Sequence, residues 1–274
     1  QAFPDSALSL CCEASYIGYT LQRDRVKHGY HCDMVAPSSI PSPRGKQIKT
    51  DRIDTAQLAQ FYANGLLTIV AIPEPEQEHD RDLLRSRKKL VDQRKELRTH
   101  ILSLLRRNGR HFQQETPNKA NWTMPHQYWL EKVVTTSSGS FAVNLSLLVR
   151  QLKAVNGILT EYAQEIHAMA KTERYERSVQ ALTCYKGIKN LFALTMITEI
   201  GDIKRFPHPR QLMSWVGMDI REYSSGGKHN RFGITKQGNR YLRSAFIEAN
   251  QRGYRTARLS NDLKARRKGA EPDL

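Results

Sequence analysis

The chain has 274 residues, a formal net charge of +16 and a sequence pI of about 9.8. Hydrophobic residues make up 39% of it, enough for a core, but no apolar run approaches the ~20 residues of a membrane-spanning helix, and no signal-peptide pattern is visible. The cationic surplus points to a polyanionic partner, and with no membrane-spanning run nucleic acid fits it better than a membrane.

Residues 1–72 read as alternating strand and helix. Leu8 to Cys12 is a short apolar run of the kind a buried strand shows. A helical stretch passes through Tyr19 and Leu21 to Val26, and Gly29 ends it. His31 to Ala36 forms a second strand closed by Pro37. A loop rich in Pro, Ser and Gly spans 38–47. A helix opens at Asp51 and Asp54 and runs to Gly65, and Leu66 to Ile72 reads as a third strand. The cysteines, Cys11, Cys12, Cys32 and Cys184, have neither disulfide-framework nor zinc-type spacing; they read as reduced core residues of a cytoplasmic protein.

Residues 74–175 are helical in pattern. Leu83, Leu90, Leu97 and Leu104 recur every seven residues. Between Arg85 and Arg110 stand ten Lys or Arg against two acids, Asp92 and Glu96. A second helix carries Leu145, Leu148, Leu152, Val155, Leu159, Tyr162, Ile166 and Met169 at alternating spacings of three and four, a heptad seam. Such a seam fits an intermolecular coiled coil and fits equally a helical hairpin packed on itself. Trp122, His126 and Trp129 mark an aromatic elbow between the two helices.

The last segment is again basic: from Gly201 onward there are 16 Lys or Arg against seven acids. Gly187 sits in a turn between apolar stretches, like a helix-hairpin-helix or an ordinary helical hairpin. Phe192 to Ile200 is helical and stops at Gly201. Arg210 to Val216 is a short helix ending at Gly217. A basic loop, Tyr223-Ser224-Ser225-Gly226-Gly227-Lys228, follows, then Gly233 to Arg240.

Three sets of residues carry chemistry. Asp51 and Asp54 are three apart on one helix face, their Cβ atoms ~5–6 Å apart. With Glu13 at the carboxyl end of the first strand they offer oxygen ligands that suit Mg²⁺ at a scissile phosphate. The plainer reading makes the aspartates first-turn acids that favour the helix dipole and Glu13 a surface acid. Ser225 precedes two glycines in a basic loop, where a phosphate backbone can approach closely. Its hydroxyl suits a nucleophile or a phosphate contact, with Lys228 and Arg231 nearby; as a plain turn, Ser-Gly-Gly needs no function. No His/Asp partner stands at triad spacing, which argues against a hydrolase. Lys236, Arg240 and Arg243 would line one face of a helix beginning near Lys236 and meet phosphates there.

In order and extent these segments resemble one known family, the DEDD-type transposases of bacterial insertion sequences, the insertion-sequence one-ten family, with relatives such as the Piv invertase. The resemblance is carried by Cys12-Glu13-Ala14, Val35-Ala36-Pro37-Ser38, Lys49 to Ala56, Asn121-Trp122-Thr123 with His126 and Trp129, Glu199-Ile200-Gly201-Asp202 with Arg205-Phe206, Gln211-Leu212 with Gly217, Tyr223 to Lys228, and Gly233 to Lys236 with Gly238-Asn239. It implies an α/β plus α architecture: a partial RuvC-like, ribonuclease-H-related domain over 1–73, a helical coiled-coil segment over 74–175, and a mostly α transposase domain over 176–274.

Four acids bind Mg²⁺ in such proteins. Glu13 matches the second, Asp51 the third and Asp54 the fourth, while the first falls on a strand before Gln1. Ser225 matches the serine that becomes linked to DNA, with Ser224 the alternative. The resemblance further implies a composite site between subunits, a noncoding guide RNA, a dimer or tetramer joined through the coiled coil, and a place with the bacterial nucleoid. Without the first acid, the chain is expected to be a truncated, inactive copy. Two other outcomes fit the residues: a noncatalytic nucleic-acid-binding remnant that interferes with an active transposase, and a RuvC-like junction nuclease cutting with metal-activated water.

Overall fold

The computed structural model describes residues 8–15, 17–37, 40–41, 51–117, 119–251 and 259–268, with the backbone alone at 51–53. It separates two compact units, Gln1–Pro75 and Glu76–Leu274.

In the first unit, β1 (Ser9–Glu13) pairs in parallel with β2 (His31–Val35), so that Cys11 faces Asp33 and Glu13 faces Val35. A parallel pair needs a crossover connection, and helix α1 (Thr20–Lys27) supplies it. Gln22 of α1 is buried and donates its amide to the Cys32 carbonyl at 3.0 Å. Helix α2 (Asp51–Ala63) packs against β1. The expected third strand is reduced to a single antiparallel bridge between Val35 and Ile69. Ala36 N–H donates to the Thr68 carbonyl at 3.0 Å, and Val70 N–H to the Met34 carbonyl at 2.7 Å. Leu66 and Ile69 remain exposed, and Leu67, Val70 and Ile72 are only half-buried; a segment so partly covered gains little apolar burial from lengthening its ladder. Of the cysteines expected in cores, Cys32 is buried, whereas Cys11, Cys12 and Cys184 are half-buried; all are free thiols.

The second unit begins with α3 (Pro75–Arg107), the short α4 (Phe112–Glu115), α5 (Met124–Thr136) and α6 (Gly139–Met169). The leucine seams meet each other inside the chain. Ile101, Leu104 and Leu105 of α3, Leu130 and Val133 of α5, and Leu145, Val149 and Leu152 of α6 form one core. The helical-hairpin reading of the seam is therefore realised, and the residues a coiled coil would use between subunits are largely consumed within one chain. Each fully buried aliphatic side chain contributes roughly 1.5–3 kcal/mol through the area it removes from water. Phe112, Trp122, His126 and Trp129 stack at the elbow; His126 lies with its ring centroid 4.8 Å from Phe112 and 4.9 Å from Trp122.

Beyond it come α7 (Glu176–Thr183), α8 (Asn190–Ile200), a 3₁₀ turn at Ile203–Arg205, α9 (Pro209–Val216), a hairpin of β3 (Ile220–Ser225) and β4 (Lys228–Ile234), α10 (Arg240–Asn250) and α11 (Asn261–Arg267). Met196, Val216, Leu242 and Ala249 form their core. Two glycines allow close backbone approach: a Cβ on Gly217 would stand 1.8 Å from the Gln237 carbonyl oxygen, and one on Gly187 would stand 2.1 Å from that of Ala249. Gly187 thus packs the α7–α8 turn onto the end of α10, and Arg266 of α11 seals the turn by donating to the Thr183 and Ile188 carbonyls at 2.6 and 2.9 Å.

Candidate functional site

The Ser-Gly-Gly motif is the turn of an antiparallel ribbon rather than a loop. Gly226 and Gly227 have φ of +57° and +80°, as a two-residue type I′ hairpin turn requires. Both strands are solvent-exposed nearly throughout. Strand alternation then sorts the side chains onto two faces. On one, Glu222 and Ser224 stand opposite Arg231 and His229. Ser224 donates its hydroxyl to Glu222. His229 Nδ1 lies 3.3 Å from both the Glu222 carboxylate and Ser224 Oγ, and Arg231 donates to Glu222 at 3.2 Å. The bonds from Ser224, His229 and Arg231 hold the Glu222 carboxyl below its ordinary pKa, so Glu222 is a weak base and an effective anchor.

The other face carries Tyr223, Ser225, Lys228, Asn230 and Phe232. Ser225 stands directly opposite Lys228, a pairing that brings their Cβ atoms to ~4.5–5.5 Å. Among the described residues the Ser225 hydroxyl has no hydrogen-bond partner. Tyr223 and Phe232 meet edge to face at 6.0 Å between centroids, with Tyr223 76% exposed.

The remaining predicted cations divide. Lys228 is exposed beside Ser225. Arg231 is engaged by Glu222. Lys236 is not helical: its φ is +57°, and its N–H donates to the Gly217 carbonyl at 2.9 Å. The helix begins instead at Arg240, because Asn239 caps it by accepting from the Tyr241 and Leu242 amides, each at 3.0 Å. The single-face stripe of Lys236, Arg240 and Arg243 therefore does not exist. Arg243 is turned inward, donating to the Val216 carbonyl at 2.6 Å, while Arg240 lies over the Tyr241 ring at 4.9 Å.

In the first unit, Glu13 ends β1 on the same sheet face as Cys11 and its partner Asp33. Tyr62 of α2 donates to Asp33 at 2.7 Å, which sets α2 on that face. Burial, with the bond to Asp33 next, raises the Tyr62 pKa to about 12. Asp54 is half-buried two turns before Tyr62 on α2. Glu13 and Asp54 thus belong to the side of the sheet that α2 covers. The Asp51 side chain lies outside the described residues, and among the residues described no group of three or more His, Cys, Asp or Glu converges on a metal position.

Sequence reasoning missed the Glu222–Ser224–His229 cluster. The signal was present: alternating residues flank Gly226-Gly227 from Ile220 to Ile234, the pattern of a two-residue hairpin.

Comparison with known proteins bears on this C-terminal region first. Residues 179–265, which contain the ribbon, match the family model described as Transposase IS116/IS110/IS902 family. The y4qE protein of Sinorhizobium fredii is 33% identical over 87% of this chain and 56% of its own length. The transposase for insertion sequence element IS1533 of Leptospira borgpetersenii is 28% identical over 75% of this chain and 59% of its own. That for IS1111A of Coxiella burnetii is 27% identical over 86% and 63%. Over most of its length the chain is thus similar to insertion-sequence transposases, and its C-terminal region matches the IS116/IS110/IS902 family model. It spans between 56% and 63% of the length of these three relatives. Among the described residues, no helix is long and apolar enough to cross a membrane.

Proposed function

We propose that this chain belongs to a DNA transposase of an insertion sequence, in which Ser225 is the nucleophile. The observation that carries the reading is the sorting of the two serines. Ser224 is tied to Glu222 on one face of the ribbon, whereas the Ser225 hydroxyl, at the exposed tip opposite Lys228, has no partner among the described residues. A nucleophile has to reach a phosphate without first breaking its own bonds, and only Ser225 meets that condition.

In the reaction, Ser225 Oγ attacks a DNA phosphorus. The new Oγ–P bond replaces the P–O3′ bond, and the serine proton ends on the departing 3′ oxygen. Lys228 favours the developing charge on the phosphate and the deprotonated form of the serine. The oxygen donors Glu13, Asp51 and Asp54 suit Mg²⁺, with Asp54 and Glu13 on the same side of the sheet. When bound, that ion supplies positive charge at the scissile phosphate. The cationic surplus holds DNA, and by family likeness a noncoding guide RNA and a second protomer complete the assembly.

The test is covalent capture on the intact gene product, with Mg²⁺ and a nicked DNA substrate. Ser225→Ala should abolish the protein–DNA adduct, and Ser224→Ala should retain it within about tenfold, as expected for loss of a surface bond. An adduct that survives Ser225→Ala refutes the assignment, and DNA cutting without any adduct identifies a nuclease instead.

A further inference from the structure

A second concave region lies away from the ribbon, where α3, α8 and α10 meet. A cavity of about 320 Å³ opens there, with apolar walls from Leu84, Val91, Leu191, Phe192 and Ala245. Its floor is polar but already satisfied: Glu199 is bound by Arg85 and Asn239. Its charged lining is mainly cationic, with Arg87, Lys88, Lys89 and Arg240 against Asp92 and Glu248. Beside it is another cavity, of about 350 Å³, whose polar lining includes Arg87, His167, Lys189 and Asp262, the last paired with Arg266 at 3.3 Å. The two cavities share Arg87 and Leu191.

Arg87 is the unusual group. Its guanidinium makes no ion pair or hydrogen bond among the described residues. Desolvation, and then the like charge of Arg94, lower its pKa, with Glu248 opposing them. A half-buried guanidinium with a cationic neighbour, and with Glu248 near it but not in ion-pair contact, is stabilised by a phosphate that reaches it. Lys88 is already paired with Asp92 at 2.8 Å, so it competes less for that role. The apolar volume on one side of Arg87 has the size range of pockets that enclose small planar ligands. The hollow on its other side sets Lys189 beside Ala163, Ile166 and Leu191, so it too pairs a cation with apolar wall.

We infer that these adjoining cavities bind an unstacked single strand of nucleic acid, with one base seated among Leu84, Phe192 and Tyr241, its phosphate on Arg87, and the next phosphate on the exposed Lys189. Base burial and phosphate pairing are the two components by which proteins hold single strands. The site is independent of the Ser225 reading, because it requires no bond to form or break and is measured by binding alone.

Fluorescence anisotropy of the 274-residue chain tests this. The probes are labelled oligothymidine and oligouridine of about 12 nucleotides, with and without one abasic nucleotide. Arg87→Ala should weaken binding about tenfold and reduce the salt slope by about one. Ser244→Trp, which fills the apolar cavity from α10, should weaken binding and leave the salt slope unchanged. The abasic probe should bind more weakly to the wild type and equally to Ser244→Trp. Tighter binding of oligouridine assigns the site to RNA, and tighter binding of oligothymidine assigns it to DNA. Circular dichroism establishes that each variant is folded; if Ser244→Trp is not, Arg87→Ala and the abasic probe decide. Unchanged affinity in Arg87→Ala, or wild-type binding indifferent to the missing base, overturns the proposal.

Discussion

Arg85→Ala should destabilise the second unit far more than Glu199→Gln, although each removes the same ion pair. Glu199 is 2% exposed and accepts from Arg85 Nε at 2.8 Å, Arg85 Nη2 at 2.7 Å and Asn239 Nδ2 at 2.6 Å. The Arg85 side chain is 35% exposed. Deleting the arginine leaves a desolvated carboxylate with one amide for company, at a cost of about 3–5 kcal/mol. Replacing the carboxylate by an amide leaves a guanidinium that water can still reach, and costs about 1–2 kcal/mol. Asn239 also caps α10, so the damage should spread from α8 into α10. Hydrogen exchange by mass spectrometry on peptides of α8 and α10 reads this locally. At about 1.4 kcal/mol per tenfold, exchange should rise at least about a hundredfold in Arg85→Ala and about tenfold in Glu199→Gln. Equal effects, or a larger effect from Glu199→Gln, would refute the claim that burial of the carboxylate controls this joint.

Two further outcomes follow from local geometry. His126 is fully buried, with both ring nitrogens unpartnered among the described residues, and burial lowers its pKa to about 4. Since the unfolded chain binds that proton more readily, stability should be complete above pH ~6.5 and fall as the pH drops toward ~4, by on the order of 2–3 kcal/mol; the urea midpoint of wild type should fall across that window by more than that of His126→Phe, and parallel curves would sink the account. Gly217→Ala should cost about 3 kcal/mol or more, because its φ of +74° and the Gln237 carbonyl both exclude a Cβ; a thermal midpoint within about 2 °C of wild type would contradict the close packing.

The long helices were legible because their apolar spacing repeats over many turns: Leu145, Leu152 and Leu159 of α6 are buried as that seam requires. Whether the seam meets another chain or its own was not legible, since both partners reward the same pattern. Here the aromatic elbow decides it, by folding α5 and α6 back onto α3. The parallel pair β1 and β2 was also readable, but Leu66 to Ile72 was not a strand, since apolar composition predicts burial only where another element covers the face. The start of α10 was misplaced by four residues because the basic spacing of Lys236, Arg240 and Arg243 imitates a helix face. The cap at Asn239 is local, its side chain accepting from the Tyr241 and Leu242 amides, but the inward turn of Arg243 depends on the carbonyl of Val216, far off in sequence. For the same reason the cavity on Arg87 was invisible: its walls come from three helices, and nothing local marks a residue whose partner is absent.

The ribbon illustrates how one local rule divides function between neighbours. An isolated two-stranded hairpin is marginal in water, and this one is tied at its base by Thr235 N–H to the Asp219 carbonyl at 2.8 Å and by Lys236 N–H to the Gly217 carbonyl. Further out, the Glu222 face supplies its own ion pair and hydrogen bonds. The opposite face, with Tyr223, Phe232, Lys228 and Ser225, leaves aromatic and cationic groups exposed. Charges already satisfied by one another gain little from a partner, whereas exposed aromatic and cationic groups gain from stacking on bases and meeting phosphate. On the proposed function, strand alternation therefore gives the first serine to holding the ribbon and leaves the second on the face whose exposed aromatic and cationic groups suit nucleic acid, a division that inserting one residue before Ser224 would exchange by shifting the register.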